Sequence, residues 1–282
     1  MFKCYLVLKK VLKKILKTNK LALNKGWAER LFNKKNGLLY SIENIETLAI
    51  GASHGDYGFN SNLCKNSYNM CYTSTDLYYC YELYKLFAPK MSNLKNIILF
   101  YSVFSPGFEL EKTNEFQIAV FIKLLFAIPY KKRYLEKYEK KFNNFLKSTI
   151  KASAPIDCEN YTGYDNPQIF FNDDYGVLKR AKTHLRENLR GNNQTGYVEK
   201  ILQLTKENNH NLIVVIPPAR EDYKKCLPEA LELFKELNNI ELVNVLNFYN
   251  DNDFIKDDFG DFDHLNNHGA KKLTKKICEF LK

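Results

Sequence analysis

Three short apolar runs, each long enough for a buried strand, most constrain how this chain folds. They read IETLAI at 45–50, NIILFYSVF at 96–104 and NLIVVI at 211–216. They do not alternate polar with apolar residues, which is typical of strands covered on both faces. Segments with helical periodicity separate them, so crossover connections and a parallel sheet are expected. The sequence therefore predicts an α/β fold.

The remaining predicted elements continue this alternation. A further strand is predicted over 240–245, and 69–72 is expected to end another. Residues 152–195 are rich in Asn, Asp, Gly and Pro and are predicted to be irregular, a length of loop that is often functional in a compact domain. Helices are predicted over 76–87, 115–128, 131–151, 196–209, 230–237 and 270–281.

The predicted organisation is one α/β domain over 41–282, with an insertion at about 105–195, preceded by an N-terminal helix and lead-in over 1–40. Residues 2–17 read FKCYLVLKKVLKKILK, with apolar side chains at helical spacing and lysines on the other face. Such a basic amphipathic helix lies either on an anionic membrane surface or against its own domain. The first apolar run is too short for a signal peptide, and no run is long enough to span a membrane. We therefore expect a cytoplasmic protein, either free or peripheral on the inner face of the membrane.

The net charge limits the partners to be expected, and the cysteine content limits the disulfides and metal sites. The net charge of +10 favours anionic partners such as lipid headgroups or nucleotide-linked substrates. Nucleic acid is not a predicted partner, because the sequence has no zinc-finger, RRM-like or helix-turn-helix signature. Seven scattered cysteines without CxxC spacing predict reduced thiols rather than a disulfide or a zinc site. These are Cys4, Cys64, Cys71, Cys80, Cys158, Cys226 and Cys278.

A serine stands where an α/β sheet gathers its functional groups, at the carboxyl end of a strand. Ser53 follows the 45–50 run and lies between Gly51 and Gly55. Small neighbours permit a tight strand-to-helix turn that exposes the serine hydroxyl, although GASHG is not the GxSxG pattern. The alternative for Ser53 is an ordinary Gly-Ser-Gly turn.

A complementary motif precedes the last predicted helix. Asp261 lies three residues before His264 and can fix the tautomer of its imidazole, whose other nitrogen then accepts a serine proton. Asp258 has the wrong spacing for this role, and Asp263 is expected to face away from the imidazole. His264 and His268 have i, i+4 spacing but lack the glutamate of HExxH, so no metal site and no cofactor are predicted.

Together the two ends resemble the SGNH (GDSL-like) hydrolase superfamily. GASHGDYGF stands in place of the usual GDS, and DFDHLNNHGAKKL matches the D-x-x-H-L-N-x-x-G-A ending over a resemblance that covers about 45–282. The resemblance implies a flavodoxin-like three-layer α/β/α sandwich with a mostly parallel sheet. It also implies acyl-ester chemistry, with Ser53 as nucleophile, His264 as general base and Asp261 as its orienting carboxylate.

The oxyanion hole is where the sequence departs from the family pattern. The family uses the backbone N–H of the serine, a glycine after the second strand and an asparagine after the third. Here Ser53 supplies the first donor and Ser74 stands near the glycine position. No asparagine follows the third strand, which leaves Asn69, Ser102 and Ser105 as candidate donors. Loss of one donor typically costs a factor of 10²–10³ in rate.

Other polar residues are candidates for contact with a substrate. Asp56 and Tyr57 are expected to line the mouth of the site, together with Ser105. His54 contacts substrate or has a surface or capping role. Arg220 holds an anionic substrate or forms a structural salt bridge. His268 is predicted to cap the last helix, and His184 and His210 are predicted to be surface residues.

Two functions from different classes fit these features. The first is a serine-dependent ester hydrolase or O-acyltransferase acting on an acylated sugar or a substrate related to surface polysaccharide. The second is a catalytically weak or inactive SGNH-like protein that binds a glycan or assembles with partners at the membrane face, which the missing asparagine favours. A nucleotide-binding Rossmann-like domain is disfavoured, because neither GxGxxG nor GxxxxGK[ST] follows a strand.

Overall fold

The computed structural model describes residues 22–166, 176–189, 193–242 and 244–282. The amphipathic helix predicted over 2–17 lies outside these residues. Among the helices in the described ranges, none is both long enough and apolar enough to cross a bilayer.

Five parallel strands form one sheet in the order β2-β1-β3-β4-β5. This is the flavodoxin-like order, in which the chain reverses direction across the sheet between β1 and β3. The predicted α/β/α fold class is confirmed. The strands are β1 (Thr47–Gly51), β2 (Ser67–Asn69), β3 (Asn96–Phe100), β4 (Asn211–Ile216) and β5 (Asn244–Asn247).

Helices cover both faces of the sheet, and alternate strand residues face two separate cores. In β3, Ile97 and Leu99 belong to the larger core, whereas Ile98 and Phe100 belong to the smaller one. The smaller core also takes Leu273 from the last helix. The α-helices are α1 (Lys25–Ser41), α2 (Ser53–Gly58), α3 (Leu77–Phe87), α4 (Gln117–Phe126), α5 (Glu139–Ala152), α6 (Val177–Asn188), α7 (Gly196–Glu207), α8 (Glu221–Lys224), α9 (Ala230–Leu233) and α10 (Asn267–Phe280).

Several predicted boundaries are wrong for identifiable reasons. The segment 152–195 contains helix α6, whose buried face carries His184 and Glu187 beside Val177 and Ala181, so its apolar stripe is short. Helix α1 was not expected within the lead-in. The strand predicted over 96–104 ends at Phe100, after which Tyr101 makes one more sheet hydrogen bond, to Val215. The helix over 131–151 begins with a 3₁₀ segment, and the strand at 240–245 lies later, in β5.

The prediction of wholly reduced cysteines is also wrong. Cys64 and Cys278 form a disulfide, with Cα atoms 5.9 Å apart and a sequence separation of 214. It ties the segment after α2 to the end of α10. Sequence spacing gives no sign of it, because only folding brings the two cysteines together. The other described cysteines, Cys71, Cys80, Cys158 and Cys226, are free thiols.

Candidate active site

Two glycines shape the turn that carries Ser53. Gly51 has a φ of 151°, and a Cβ at this position would lie 2.7 Å from the Cβ of Phe100. A Cβ on Gly55 would lie 2.5 Å from the Sγ of Cys71. Both positions therefore require glycine, so that β1 can pass close to β3 and α2 can begin at Ser53.

The loop before α10 is held by local hydrogen bonds. Asp261 Oδ1 accepts from the backbone N–H groups of Asp263, at 3.0 Å, and His264, at 2.8 Å. The side chain of Asn266 caps α10 by accepting from the N–H groups of His268 and Gly269. The capping role predicted for His268 therefore belongs to Asn266, and His268 instead pairs with Asp258 at 2.7 Å.

Ser53, His264 and Asp261 form one hydrogen-bonded chain. His264 Nε2 lies 2.8 Å from Ser53 Oγ, and His264 Nδ1 lies 2.7 Å from Asp261 Oδ2. An ionised carboxylate can only accept, so Nδ1–H donates to Asp261. The free lone pair on Nε2 then accepts from the Ser53 hydroxyl. This is the arrangement a serine nucleophile and its general base require.

The charges around His264 favour its uptake of a proton. Burial lowers its pKa, but the carboxylates of Asp263 and Asp261 outweigh burial, so the pKa lies above the ordinary 6.5. Burial raises the pKa of Asp261, but the charge and hydrogen bond of His264 hold it below the ordinary 3.8. Asp261 is therefore ionised near neutral pH and stabilises the imidazolium that proton transfer creates.

A cavity of about 450 Å³ opens beside these three side chains. Phe104 and Phe108 give it an apolar wall. Tyr57 lines it too, with its ring centroid 4.9 Å from that of His264. The charged residues in the lining are Glu115, Arg180 and Glu187, and the other lining residues are Thr73, Ser74, Thr113, Asn114, Thr183 and His184.

Two backbone donors stand at this cavity. Among the described residues, the N–H groups of Ser53 and Ser74 make no hydrogen bond. Ser74 has a φ of 57°, in the left-handed region that favours glycine, and its hydroxyl donates to the carboxylate of Glu115. Ser53 and Ser74 therefore remain candidates for two oxyanion-hole donors.

The other predicted oxyanion donors are engaged elsewhere. Asn69 Nδ2 donates to the carbonyls of Gly55 and Phe59, at 3.0 and 2.7 Å. Ser102 Oγ bonds His54 Nδ1 at 2.9 Å, and the Ser102 N–H donates to Ser105 Oγ at 2.8 Å. Asn69 and Ser102 are wrong as site residues, because their donor groups hold loops. Ser105 is wrong because it does not line the cavity, although its hydroxyl only accepts from Ser102. Asn114 is an asparagine in the cavity lining that sequence reasoning missed.

Two predicted substrate contacts are structural residues. Asp56 is fully buried behind α2, where it pairs with Arg30 and Lys34, so its predicted place at the mouth is wrong. Arg220 forms the predicted structural alternative, a salt bridge to Asp222 at 2.6 Å. It also donates to the backbone carbonyl of Asp261 at 3.2 Å.

Behind His264 lies a buried polar cluster that the sequence did not reveal. His54 and His184 are both buried, which excludes the surface role considered for His54 and makes the surface prediction for His184 wrong. Asp263 does not face away from the imidazole, since its Oδ1 lies 3.9 Å from His264 Nδ1. Arg180 pairs with the same carboxylate. No local spacing marks this cluster, because its members come from three distant segments.

Two other histidine observations complete the comparison with the sequence. His210 is half-buried, with Nδ1 2.8 Å from the hydroxyl of Tyr84. His54, Asp263 and His264 bring three potential metal-ligand atoms within 4.8 Å of one another. All three side chains already bond protein partners, so the cluster holds together without a cation.

No family model matches the chain, and no curated protein matches it.

Proposed function

We propose that the protein is a serine-dependent carboxylic-ester hydrolase or O-acyltransferase of the SGNH type. The observation that carries this proposal is the chain of hydrogen bonds from Asp261 through His264 to Ser53 at the edge of a cavity. The flavodoxin-like strand order is consistent with it, because the resemblance implies the same order.

The proposed reaction forms and breaks one acyl-enzyme. Ser53 Oγ attacks the ester carbonyl while His264 Nε2 takes the hydroxyl proton. The backbone N–H groups of Ser53 and Ser74 stabilise the oxyanion. His264 then gives its proton to the departing alcohol, leaving the acyl group on Ser53. Water or an acceptor hydroxyl, deprotonated by His264, attacks the acyl group and regenerates the serine.

The cavity supports an acylated sugar, or a related piece of surface polysaccharide, as the substrate. About 450 Å³ is at the size expected of a small-ligand site. The aromatic wall of Phe104 and Phe108 suits a sugar face or a short acyl chain. Thr113, Asn114 and Thr183 offer hydrogen bonds to hydroxyl groups. Whether water or a sugar hydroxyl takes the acyl group depends on how well the bound acceptor excludes water.

A fluorophosphonate probe tests the proposal, because it reacts with an activated serine. We expect the wild-type chain to be labelled and Ser53→Ala to remain unlabelled. Ser148→Ala, which removes an exposed helical serine far in sequence from the site, should be labelled like the wild type. An unlabelled wild type, or equal labelling of Ser53→Ala, would show that the enzymatic proposal is wrong.

A non-hydrolytic glycan-binding protein is the second candidate. The observation that favours it is that Asn69 and Ser102 donate to other groups and Ser105 does not line the cavity, which leaves no predicted side chain for the third oxyanion donor. Absence of probe labelling together with saturable binding of an acetylated oligosaccharide would favour this candidate over the enzyme.

The proposed location is the cytoplasm, with residues 2–17 on the anionic face of a membrane. Co-sedimentation with phosphatidylglycerol vesicles, lost when Lys9, Lys10, Lys13 and Lys14 are replaced by Gln, tests the membrane part. The Cys64–Cys278 disulfide weighs against a cytoplasmic location, because disulfides rarely persist there. Alkylation of intact cells before lysis would decide between a cytoplasmic and an oxidising compartment. If Cys64 and Cys278 escape alkylation because they are disulfide-bonded, the compartment is oxidising.

A further inference from the structure

Two Ser–His–Asp chains lie side by side in this molecule. The first, Ser53–His264–Asp261, faces the cavity. The second is buried behind it: Ser102 Oγ lies 2.9 Å from His54 Nδ1, and His54 Nε2 lies 3.1 Å from Asp263 Oδ2. The two imidazoles are neighbours, with ring centroids 4.9 Å apart.

The second chain has no room for a substrate. Ser102 is 1% exposed, and the void beside it measures about 10 Å³, space for a single water. Its hydrogen bonds can nevertheless be oriented. An ionised Asp263 accepts from Nε2–H of His54, whose Nδ1 then accepts from the Ser102 hydroxyl. A neutral His54 is thereby locked in one tautomer and one position.

Asp263 is the residue on which the cluster converges. It is 1% exposed, and Arg180 Nε from α6 donates to its Oδ1 at 3.0 Å. His184 of the same helix lies 3.7 Å from Oδ2 and bonds the hydroxyl of Tyr223. His54 faces it from α2, and Asp261 and His264 lie in its own loop. Within the described ranges, these groups and the Tyr223 hydroxyl are the titratable and charged groups that face the Asp263 carboxylate.

We infer that Asp263 is a positioning residue that acts as a second carboxylate for His264. His54 and Arg180 hold its carboxylate 3.9 Å from His264 Nδ1, too far for a hydrogen bond but close enough for a strong charge interaction. The inference rests on the proposed function for its role in catalysis. There it stabilises the imidazolium that His264 becomes when it takes the Ser53 proton.

The protonation states of the cluster agree with this assignment. Burial raises the pKa of Asp263, but His264, Arg180 and His184 outweigh burial and hold it well below 3.8, so the group is ionised. At His54 and His184, burial outweighs the charge of Asp263. It lowers the pKa of His54 and takes that of His184 to about 3. Of the three histidines in the cluster, His264 is therefore the one that takes up a proton most readily.

A purely structural role for Asp263 makes a different prediction from a charge role. As a structural residue, Asp263 would only tie α6 to the 261–264 loop through Arg180. Loss of either partner would then shift the pKa of His264 in the same direction. As a charge, it opposes Arg180: the carboxylate favours a protonated His264, and the guanidinium disfavours one. The sign of each shift therefore separates the two roles.

NMR titration of the histidine rings in the full chain tests the inference without using activity. The chain has five histidines, and loss of one signal in His264→Gln assigns that ring. We expect Asp263→Asn to lower the pKa of His264 by about 1–3 units, as removal of a nearby opposite charge does. Arg180→Gln should raise it. Asp258→Asn, which removes a buried carboxylate paired with Lys272 and His268, is the matched control and should leave it unchanged.

Several results would overturn the inference. They are an unshifted His264 in Asp263→Asn, shifts of the same sign in both charge variants, or an equal shift in Asp258→Asn. If Asp263→Asn fails to fold, a higher pKa of His264 in Arg180→Gln supports the inference, and an unchanged or lower pKa overturns it. In a working enzyme, the acid limb of kcat/KM for an acetyl ester should move with these NMR values. Absence of Ser53 labelling would overturn the proposed function while leaving the NMR result to judge Asp263.

Discussion

Asp56, three residues beyond Ser53, accepts two hydrogen bonds from the guanidinium of Arg30, at 3.0 and 2.9 Å. The same carboxylate lies 3.2 Å from the buried ammonium of Lys34 and accepts from the N–H of Thr73 at 3.1 Å. One side chain thus joins helix α1, the helix that begins at Ser53 and the segment that carries Ser74. It holds Ser53 and Ser74 in a fixed relation.

Removal of this carboxylate should lower the free energy of unfolding. Asp56→Ala leaves Lys34, which is 0% exposed, without its charge partner, and breaking a buried ion pair typically costs about 3–5 kcal/mol. Urea denaturation measures the change in the free energy of unfolding. The control is Glu46→Ala, which removes a half-buried partner of Lys95 and Asn66 and should lower the midpoint far less. Equal midpoints for the two variants would contradict the role given to Asp56.

A methyl group at Gly55 should disturb the turn that presents Ser53. The added Cβ would meet Cys71 Sγ at 2.5 Å and the ring of Phe100 at 2.6 Å. Such overpacking typically costs about 1–3 kcal/mol, so Gly55→Ala should lower both stability and the rate of fluorophosphonate labelling. Gly196→Ala is the matched control: nothing lies within 4 Å of its Cβ, and it stands in the first turn of α7. An unchanged labelling rate in Gly55→Ala would mean that the turn adapts.

Acid should destabilise the fold through His184. Burial takes its folded pKa to about 3, so below its ordinary value of 6.5 the unfolded chain binds a proton that the folded chain refuses. The stability it contributes is complete above pH 6.5 and is lost as the pH falls toward 3. Between pH 7 and pH 5 this one group should cost about 2 kcal/mol.

His184→Gln should therefore lose less stability than the wild type over that interval. Urea midpoints of both chains at pH 7 and pH 5 measure the difference. His54, whose pKa is also lowered, stays in both chains and cancels from the comparison. If both chains lose the same stability, His184 is protonated in the folded state.

The Cys64–Cys278 disulfide should stabilise the folded chain. It closes a long loop, with 214 residues of sequence separation, and native disulfides typically contribute about 2–4 kcal/mol. Dithiothreitol should therefore lower the urea midpoint of the wild type. The double variant Cys64→Ser and Cys278→Ser should unfold at one midpoint with or without the reductant. A wild type that is insensitive to full reduction, checked by alkylation and mass spectrometry, would refute this contribution.

The sequence was enough to predict a buried strand and the two motifs of the candidate site. The apolar run at 211–216 coincides with β4, because a strand buried on both faces leaves an uninterrupted apolar signature. Ser53 and His264 were expected to meet, and the structure brings them to 2.8 Å. The expected place of Ser53 follows from parallel topology, which gathers the carboxyl ends of strands at one edge. Its pairing with His264 was expected from the resemblance of the two motifs to the SGNH pattern.

Features that depend on distant partners were not predictable in this way. His184 resembles a surface residue on a charged segment until Tyr223 and Asp263 are seen beside it. Asp56 looked like part of the mouth because it follows Ser53, but the turn of α2 points it toward Arg30. Asp261 bonds the imidazole as predicted, but Asp263, which was expected to face away, lies 3.9 Å from the same ring nitrogen.

The hydrogen bond between Ser53 and His264 joins groups 211 residues apart in sequence, so the order of synthesis matters. A ribosome places the serine, its glycine turn and all five strands in the chain before it reaches the histidine. Every nascent or prematurely terminated chain that ends before residue 264 lacks the imidazole that bonds Ser53, whatever it has already folded. The hydrogen-bonded chain from Asp261 through His264 to Ser53 therefore forms only once the loop ahead of α10 has been made.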